Sequence, residues 1–223
     1  MIFTYLALGD SYTMGEGVMI AESFPYQTVQ LLRQTAVGAE GRREGFTDTQ
    51  AAVANPVGGC QFAAPEIVAN TGWTTDELTA SIQQATLLTR YNIVSLLIGV
   101  NNQYRGRSIA EFVVQFTGLL QKAIEFAGGE SKNVFVLSIP DWSVTPFAQE
   151  KDREKIAAEV DAFNAVCKSM SAAFMCTYID ITTSQKQDGS DEPYLAADGL
   201  HPSGKEYAKW AEKLKDAIML SLF

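Results

Sequence analysis

The feature that most constrains this chain is the regular return of short, β-rich apolar runs separated by stretches of helical periodicity. The runs are Ile2–Leu8, roughly Glu66–Asn70, Ile93–Val100, Val134–Ile139 and Phe174–Ile181. Three are nearly continuous apolar segments, the pattern of strands covered on both faces. Their intervals fit βα units rather than a sandwich of hairpins. The expectation is therefore an α/β domain of three layers, with helices on both faces of a parallel sheet.

Helix starts are also written in the sequence. Ser108-Ile-Ala-Glu111 has the form of a capping box, followed by an inner face of Phe112, Phe116, Leu120 and Ala123 and a Gly128-Gly129 stop. Thr74-Thr75-Asp76-Glu77 and Ser203-Gly204-Lys205-Glu206 repeat the form, the latter opening a helix with a stripe of Tyr207, Trp210, Leu214 and Ile218. A further helix over about Glu150–Met170 presents Ile156, Val160, Phe163 and Cys167 on one face. Gly38 to Gln61 breaks the rhythm, with five glycines and weak periodicity. The chain is thus expected to be a single domain over 1–223 with a flexible surface insertion at about 38–61.

Charge and composition exclude several functions. Seventeen basic against 26 acidic residues give a net charge of −9, which opposes nucleic acid and anionic membrane surfaces as partners. No apolar stretch approaches the roughly 20 residues of a membrane span. The opening run lacks a basic leader and passes directly into Gly9-Asp10-Ser11, so it reads as a strand, not a signal peptide, and the expected location is cytoplasmic. Cys60, Cys167 and Cys176 have neither disulfide-framework nor CxxC spacing and are expected to be reduced, buried thiols. The single histidine, His201, rules out a histidine-rich metal site. No metal or organic cofactor is expected.

Set against the predicted strands, the unusual polar residues fall at one edge. Gly9-Asp10-Ser11, Gly72-Trp73, Gly99-Val100-Asn101-Asn102 and Asp141-Trp142 each follow a strand, and Asp198-Gly-Leu-His201-Pro202 lies in the loop after the fifth. In an open parallel sheet these positions share the carboxyl edge, where ligands bind. A serine hydroxyl there needs a base to take its proton and donors for the charge pushed onto the substrate oxygen. His201 is the available base, and Asp198 is placed to fix its tautomer. The backbone N–H groups of Ser11 and Gly72 and the Asn101 amide are candidate oxyanion donors, glycine at 72 allowing close approach to the main chain. Tyr12, Trp73, Tyr104 and Trp142 are candidate substrate-contacting rings. Taken singly these residues have plainer readings: Ser11 as a helix cap, Asp198 closing its own turn, the rings as packing under loops.

The motifs Gly9-Asp10-Ser11, Gly72, Gly99-x-Asn101 and Asp198-x-x-His201-Pro202, in this order over nearly the entire chain, resemble those of the SGNH (GDSL-type) hydrolases, an esterase and lipase superfamily. The resemblance implies Ser11 as nucleophile, Gly72 and Asn101 as oxyanion donors, and His201 as base with Asp198 behind it. It also implies a flavodoxin-like five-stranded parallel sheet in the order 2-1-3-4-5. Tyr12 and Asn102 depart from it, standing where the family has leucine and aspartate, and the 38–61 segment is longer than expected. The function expected is that of a serine carboxylic ester hydrolase acting on short-chain acyl esters, acetyl among them, because no apolar lid is evident and the 38–61 segment is polar. Two alternatives share the fold: an acyltransferase using the same acyl-enzyme, and an inactive carbohydrate- or lipid-binding relative. Binding alone does not require Ser11, Asn101, Asp198 and His201 together. A phosphate loop is disfavoured, because Gly199 to Lys205 fits GxxxxGK but Glu206, read as the capping-box acid, stands where serine or threonine is needed. No G-x-S-x-G elbow occurs.

Overall fold

The first apolar run does not stay in one sheet. In the computed structural model, which describes residues 1–40 and 59–223, β1 (Ile2–Phe3) pairs with β3 (Gln61–Phe62), while β2 (Tyr5–Asp10) enters the main sheet. The step falls at Thr4, whose N–H donates to Asn92 Oδ1 at 3.0 Å and whose carbonyl accepts from the N–H groups of Asn92 and Ile93. The main sheet adds β4 (Glu66–Asn70), β5 (Ile93–Leu97), β6 (Val134–Leu137) and β7 (Thr177–Ile179), in the spatial order β4-β2-β5-β6-β7. All its pairings are parallel, so its five strands stand in the expected order 2-1-3-4-5.

Helices cover both faces. They are α1 (Ser11–Met14), α2 (Phe24–Glu40), α3 (Thr75–Gln84), α4 (Val100–Tyr104), α5 (Ile109–Phe126), α6 (Arg153–Ala173), α7 (Thr182–Asp188) and α8 (Gly204–Leu222). α2 packs on α8, α3 on α5 and α5 on α6, giving the three layers. β2, β5 and β6 are buried at every position, as continuous apolar runs require. The expected stripes of α5, α6 and α8 are all buried, including Phe112, Phe116, Ile156, Val160, Phe163, Tyr207, Trp210 and Leu214.

Several local expectations are corrected. The fifth run yields only Thr177–Ile179, because Phe174 to Cys176 terminate α6: the Met175 N–H donates to Ala172 O, the Cys176 N–H to Ser171 O, and Met175 takes a φ of 58°. This is a Schellman ending with methionine where glycine is usual. Ser108 caps α5, but Glu111 turns to Arg107 and Gln115, so that capping box is half formed; at Thr74–Glu77 the other half is present, Glu77 accepting the Thr74 N–H at 2.8 Å. Glu206 is no cap at all. It is buried in the first turn of α8, where its Oε1 accepts from Ser184 Oγ and Trp210 Nε1, and its Oε2 lies 2.8 Å from Lys209 Nζ. Of the cysteines, all free, only Cys167 is fully buried. The insertion expected at about 38–61 falls mainly outside the described residues; at its margins α2 runs to Glu40 and β3 begins at Gln61. Among the described residues no helix is long and apolar enough to cross a membrane.

Candidate active site

β2 ends in Gly9-Asp10, and the chain turns at once into α1. Glycine at 9 is required by packing, since a Cβ there would lie 2.0 Å from Thr13 Oγ1 and 2.5 Å from the Leu97 carbonyl. Asp10 is the N-cap of α1, its Oδ1 accepting the Tyr12 N–H at 3.0 Å. Ser11 therefore occupies the first helical position, where a backbone N–H has no partner within the helix. Ser11 lies at the carboxyl end of β2, an interior strand of the sheet. Asp10 itself is fully buried and does not line the cleft.

His201 reaches Ser11 from a loop 190 positions away, its Nε2 standing 3.0 Å from Ser11 Oγ. That loop is pinned by Asp198, whose Oδ1 accepts the N–H groups of Leu200 and His201, each at 2.9 Å. Asp198 Oδ2 lies 2.6 Å from His201 Nδ1. An ionised carboxylate only accepts, so this contact places the imidazole proton on Nδ1 and leaves the Nε2 lone pair facing the serine hydroxyl. Partial burial raises the Asp198 carboxyl, but the hydrogen bonds from the His201 ring and from the backbone of His201 and Leu200 outweigh it and hold its pKa below the usual carboxylate value. The imidazole packs on Tyr12, ring centroids 4.9 Å apart, and Tyr12 in turn on Trp210 of α8.

Gly72 and Asn101 line the same cleft as Ser11. A cleft of about 190 Å³ is lined by Ser11, Gly72, Asn101 and His201 together with apolar walls. Gly72 has a φ of 80°, a left-handed conformation that favours glycine. Asn101 Nδ2 donates to the Trp73 carbonyl at 3.1 Å, which fixes the amide plane and leaves the second N–H of that nitrogen for a ligand. Asn102 is uninvolved: it is buried and bonded to the N–H and hydroxyl of Thr75.

The four candidate rings divide. Tyr104 and Trp142 line the cleft, their centroids 5.5 Å apart. Tyr12 lines its floor with a ring otherwise buried in the core. Trp73 is not among the lining residues; its half-buried ring packs on the hydrophobic core, and its carbonyl serves Asn101. Sequence reasoning missed Thr71, Val100, Phe147 and Leu200, which complete the lining. Leu200 lies within the Asp198–Pro202 motif and Phe147 follows Asp141-Trp142 by a few residues, but nothing in a lone apolar loop residue says which way it faces. Gln103 was also missed: its Oε1 accepts the Trp142 indole N–H at 2.8 Å, and its Nε2 donates to Glu159 on α6. Asp180, just after β7, accepts from the N–H and the hydroxyl of Thr183 in the first turn of α7. Among the described residues no three His, Cys, Asp or Glu side chains come together as a metal-binding group.

The sequence profile of the GDSL-like Lipase/Acylhydrolase family matches residues 7–209. A sequence comparison with curated proteins finds no match. Among solved structures, TesA superposes with a TM-score of 0.67 at 17% identity, covering 98% of this chain and 99% of its own. Axe2, an acetylxylan esterase from Geobacillus stearothermophilus, gives 0.65 at 16% identity, covering 97% of this chain and 94% of its own. A lipase/acylhydrolase from Enterococcus faecalis gives 0.64 at 18% identity, with coverage of 97% and 95%. At these identities the likeness is one of fold.

Proposed function

The chain belongs to the GDSL-like lipase/acylhydrolase family, and from that premise we propose that it is a serine esterase that cleaves short-chain acyl esters through an acyl-enzyme at Ser11. The observation that carries the reading is the unbroken line from Asp198 Oδ2 to His201 Nδ1 at 2.6 Å and from His201 Nε2 to Ser11 Oγ at 3.0 Å.

In the first half-reaction the Ser11 oxygen attacks the ester carbonyl carbon while His201 Nε2 takes the hydroxyl proton. Asp198, kept ionised by its hydrogen bonds, stabilises the imidazolium and holds its orientation. The carbonyl oxygen gains negative charge and is received by the Ser11 and Gly72 N–H groups and the Asn101 amide. Collapse of this adduct breaks the bond to the alcohol, whose oxygen leaves with the proton from His201. Water then enters, gives a proton to the same nitrogen, and attacks the acyl carbon; the acid departs and the Ser11 hydroxyl is restored. The apolar wall of Val100, Tyr104, Trp142, Phe147 and Leu200 supports a hydrocarbon acyl group in the cleft.

A fluorophosphonate probe tests the assignment. The expected adduct, located by mass spectrometry, is on Ser11, and Ser11→Ala is unlabelled and inactive on p-nitrophenyl acetate. A labelled residue elsewhere, with turnover retained in Ser11→Ala, overturns it.

A further inference from the structure

The proposed oxyanion donor at Gly72 sits on a residue that packing does not hold. Gly72 has a φ of 80°, and among the described residues the only atom within 4 Å of the position a Cβ would take, chain neighbours aside, is Arg105 Nη2, at 3.5 Å. The loop is held instead by three side chains on three consecutive residues. Arg105 Nη2 donates to the Gly72 carbonyl at 2.6 Å, Asn101 Nδ2 to the Trp73 carbonyl at 3.1 Å, and the Thr74 N–H donates to Glu77 Oε2 at 2.8 Å. Asn101 lies in α4 and Arg105, four residues on, is its C-cap, so one short helix with its cap reaches the loop twice. Arg105 also joins the third restraint, since its Nη1 lies 3.3 Å from Glu77. The planar guanidinium suits this double task, because its fixed fork addresses a carbonyl and a carboxylate at once.

We propose that Arg105 is a positioning residue for the oxyanion hole: by holding the Gly72 carbonyl outward it keeps the Gly72–Trp73 segment in the register that aims the Gly72 N–H at the substrate oxygen. The inference rests on the serine-esterase reading above. Arg105 does not touch the reacting atoms, so its contribution is to geometry, and displacements on the order of 1 Å at such a site cost about 100-fold in rate. Its loss is felt where charge develops, in kcat, and little in ground-state binding.

The test compares Arg105→Ala, Arg105→Lys and Arg107→Ala on p-nitrophenyl acetate. Arg107 is the control, an arginine two positions on that pairs with Asp76 of α3 and Glu111 of α5 and is not hydrogen-bonded to the 72–74 carbonyls. Arg105→Ala is expected to lower kcat by about 10- to 100-fold with KM changed by less than about threefold. Its affinity for a boronic acid that forms a tetrahedral adduct on Ser11 falls by the same factor. Arg105→Lys, able to reach Gly72 but not Gly72 and Glu77 together, recovers part of the loss; Arg107→Ala stays within about threefold of the parent. If Arg105→Ala melts more than about 5 °C below the parent, the decision passes to Glu77→Gln, which keeps an acceptor for Thr74 and is expected to lower kcat in the same direction by a smaller factor. Parent-like kcat in Arg105→Ala, a change confined to KM, or a kcat loss without a matching loss of boronate affinity each overturns the proposal. Ser11→Ala is run alongside: inactive Ser11→Ala with parent-like Arg105→Ala removes only the positioning role, whereas active Ser11→Ala removes the serine reading and this proposal with it.

Discussion

Asp10 is wholly buried beside the proposed nucleophile, with one carboxyl oxygen on the Tyr12 N–H and the other without a hydrogen-bond partner among the described residues. Burial pushes its carboxyl up to about 7, against the smaller lowering effect of the Tyr12 N–H. An aspartate in an unfolded chain titrates near 3.9, roughly. Between these values the folded chain keeps a proton that the unfolded chain has released, so stability falls as pH rises, by at most about 1.4 kcal/mol per pH unit, and levels off above the folded value. Asp10→Asn keeps an oxygen for the Tyr12 N–H and has no such proton to lose. Urea unfolding from about pH 5 to 8 is expected to show the variant gaining on the parent as pH rises; a difference independent of pH would mean that the carboxyl is ionised in the fold throughout. Ser11 and His201 lead to a second expectation at this scale. Acting as a unit, Ser11→Ala, His201→Ala and the double variant should lose nearly the same factor in kcat/KM. Losses that multiply would separate the two residues.

The elements hold these residues through a few close contacts. Gly9→Ala would drive a methyl into the Leu97 carbonyl, a backbone atom of the neighbouring strand that cannot swing aside. Overpacking of this kind costs about 1–3 kcal/mol, and thermal unfolding should register it even where activity survives. Gln103 joins α4 to Trp142 and to Glu159 of α6. Gln103→Leu leaves the indole N–H buried without an acceptor, at a cost of about 1–3 kcal/mol, and is expected to raise KM for butyrate esters more than for acetate esters, because it loosens a wall and not the hydroxyl. These elements were unequally legible in the sequence. Buried strands such as Tyr5–Asp10 and Ile93–Leu97 announce themselves by composition, and helix starts by Thr74 and Ser108. The end of α6 gives no such signal, because Met175 takes the left-handed place that a glycine would have marked. Glu206 misleads for the opposite reason: its spacing from Ser203 fits a cap, but burial with Ser184, Trp210 and Lys209 claims both its oxygens.

At the scale of the whole molecule, parallel topology turns sequence-distant motifs into one cleft. Ser11 and His201 were legible as partners because both follow strands of one sheet edge; Phe147, Leu200 and Arg105 were not, since their facing depends on loop paths that periodicity does not encode. Size does not locate the site either, for a groove of about 620 Å³ between α3 and α5 contains none of the motif residues. The cleft at Ser11 is smaller, about 190 Å³, or roughly six times the 30 Å³ that a water molecule occupies in the liquid. On the proposed reading a short acyl group occupies this cleft and a longer chain extends toward solvent, since Tyr104 and Phe147 in its wall are 52% and 42% exposed. Each further methylene then gains only part of the roughly 0.8 kcal/mol that full burial gives, while its ordering still costs entropy. An enzyme that acts at lipid surfaces needs a broad apolar face. Among the described residues that line the cleft, the exposed large apolar side chains are those of Tyr104 and Phe147. In a series of p-nitrophenyl acetate, butyrate, octanoate and palmitate under matched detergent, kcat/KM is expected to peak at acetate or butyrate and to fall at least about tenfold by palmitate. A maximum at palmitate, or a jump in rate as the substrate passes its solubility limit, would assign the chain to the lipases instead.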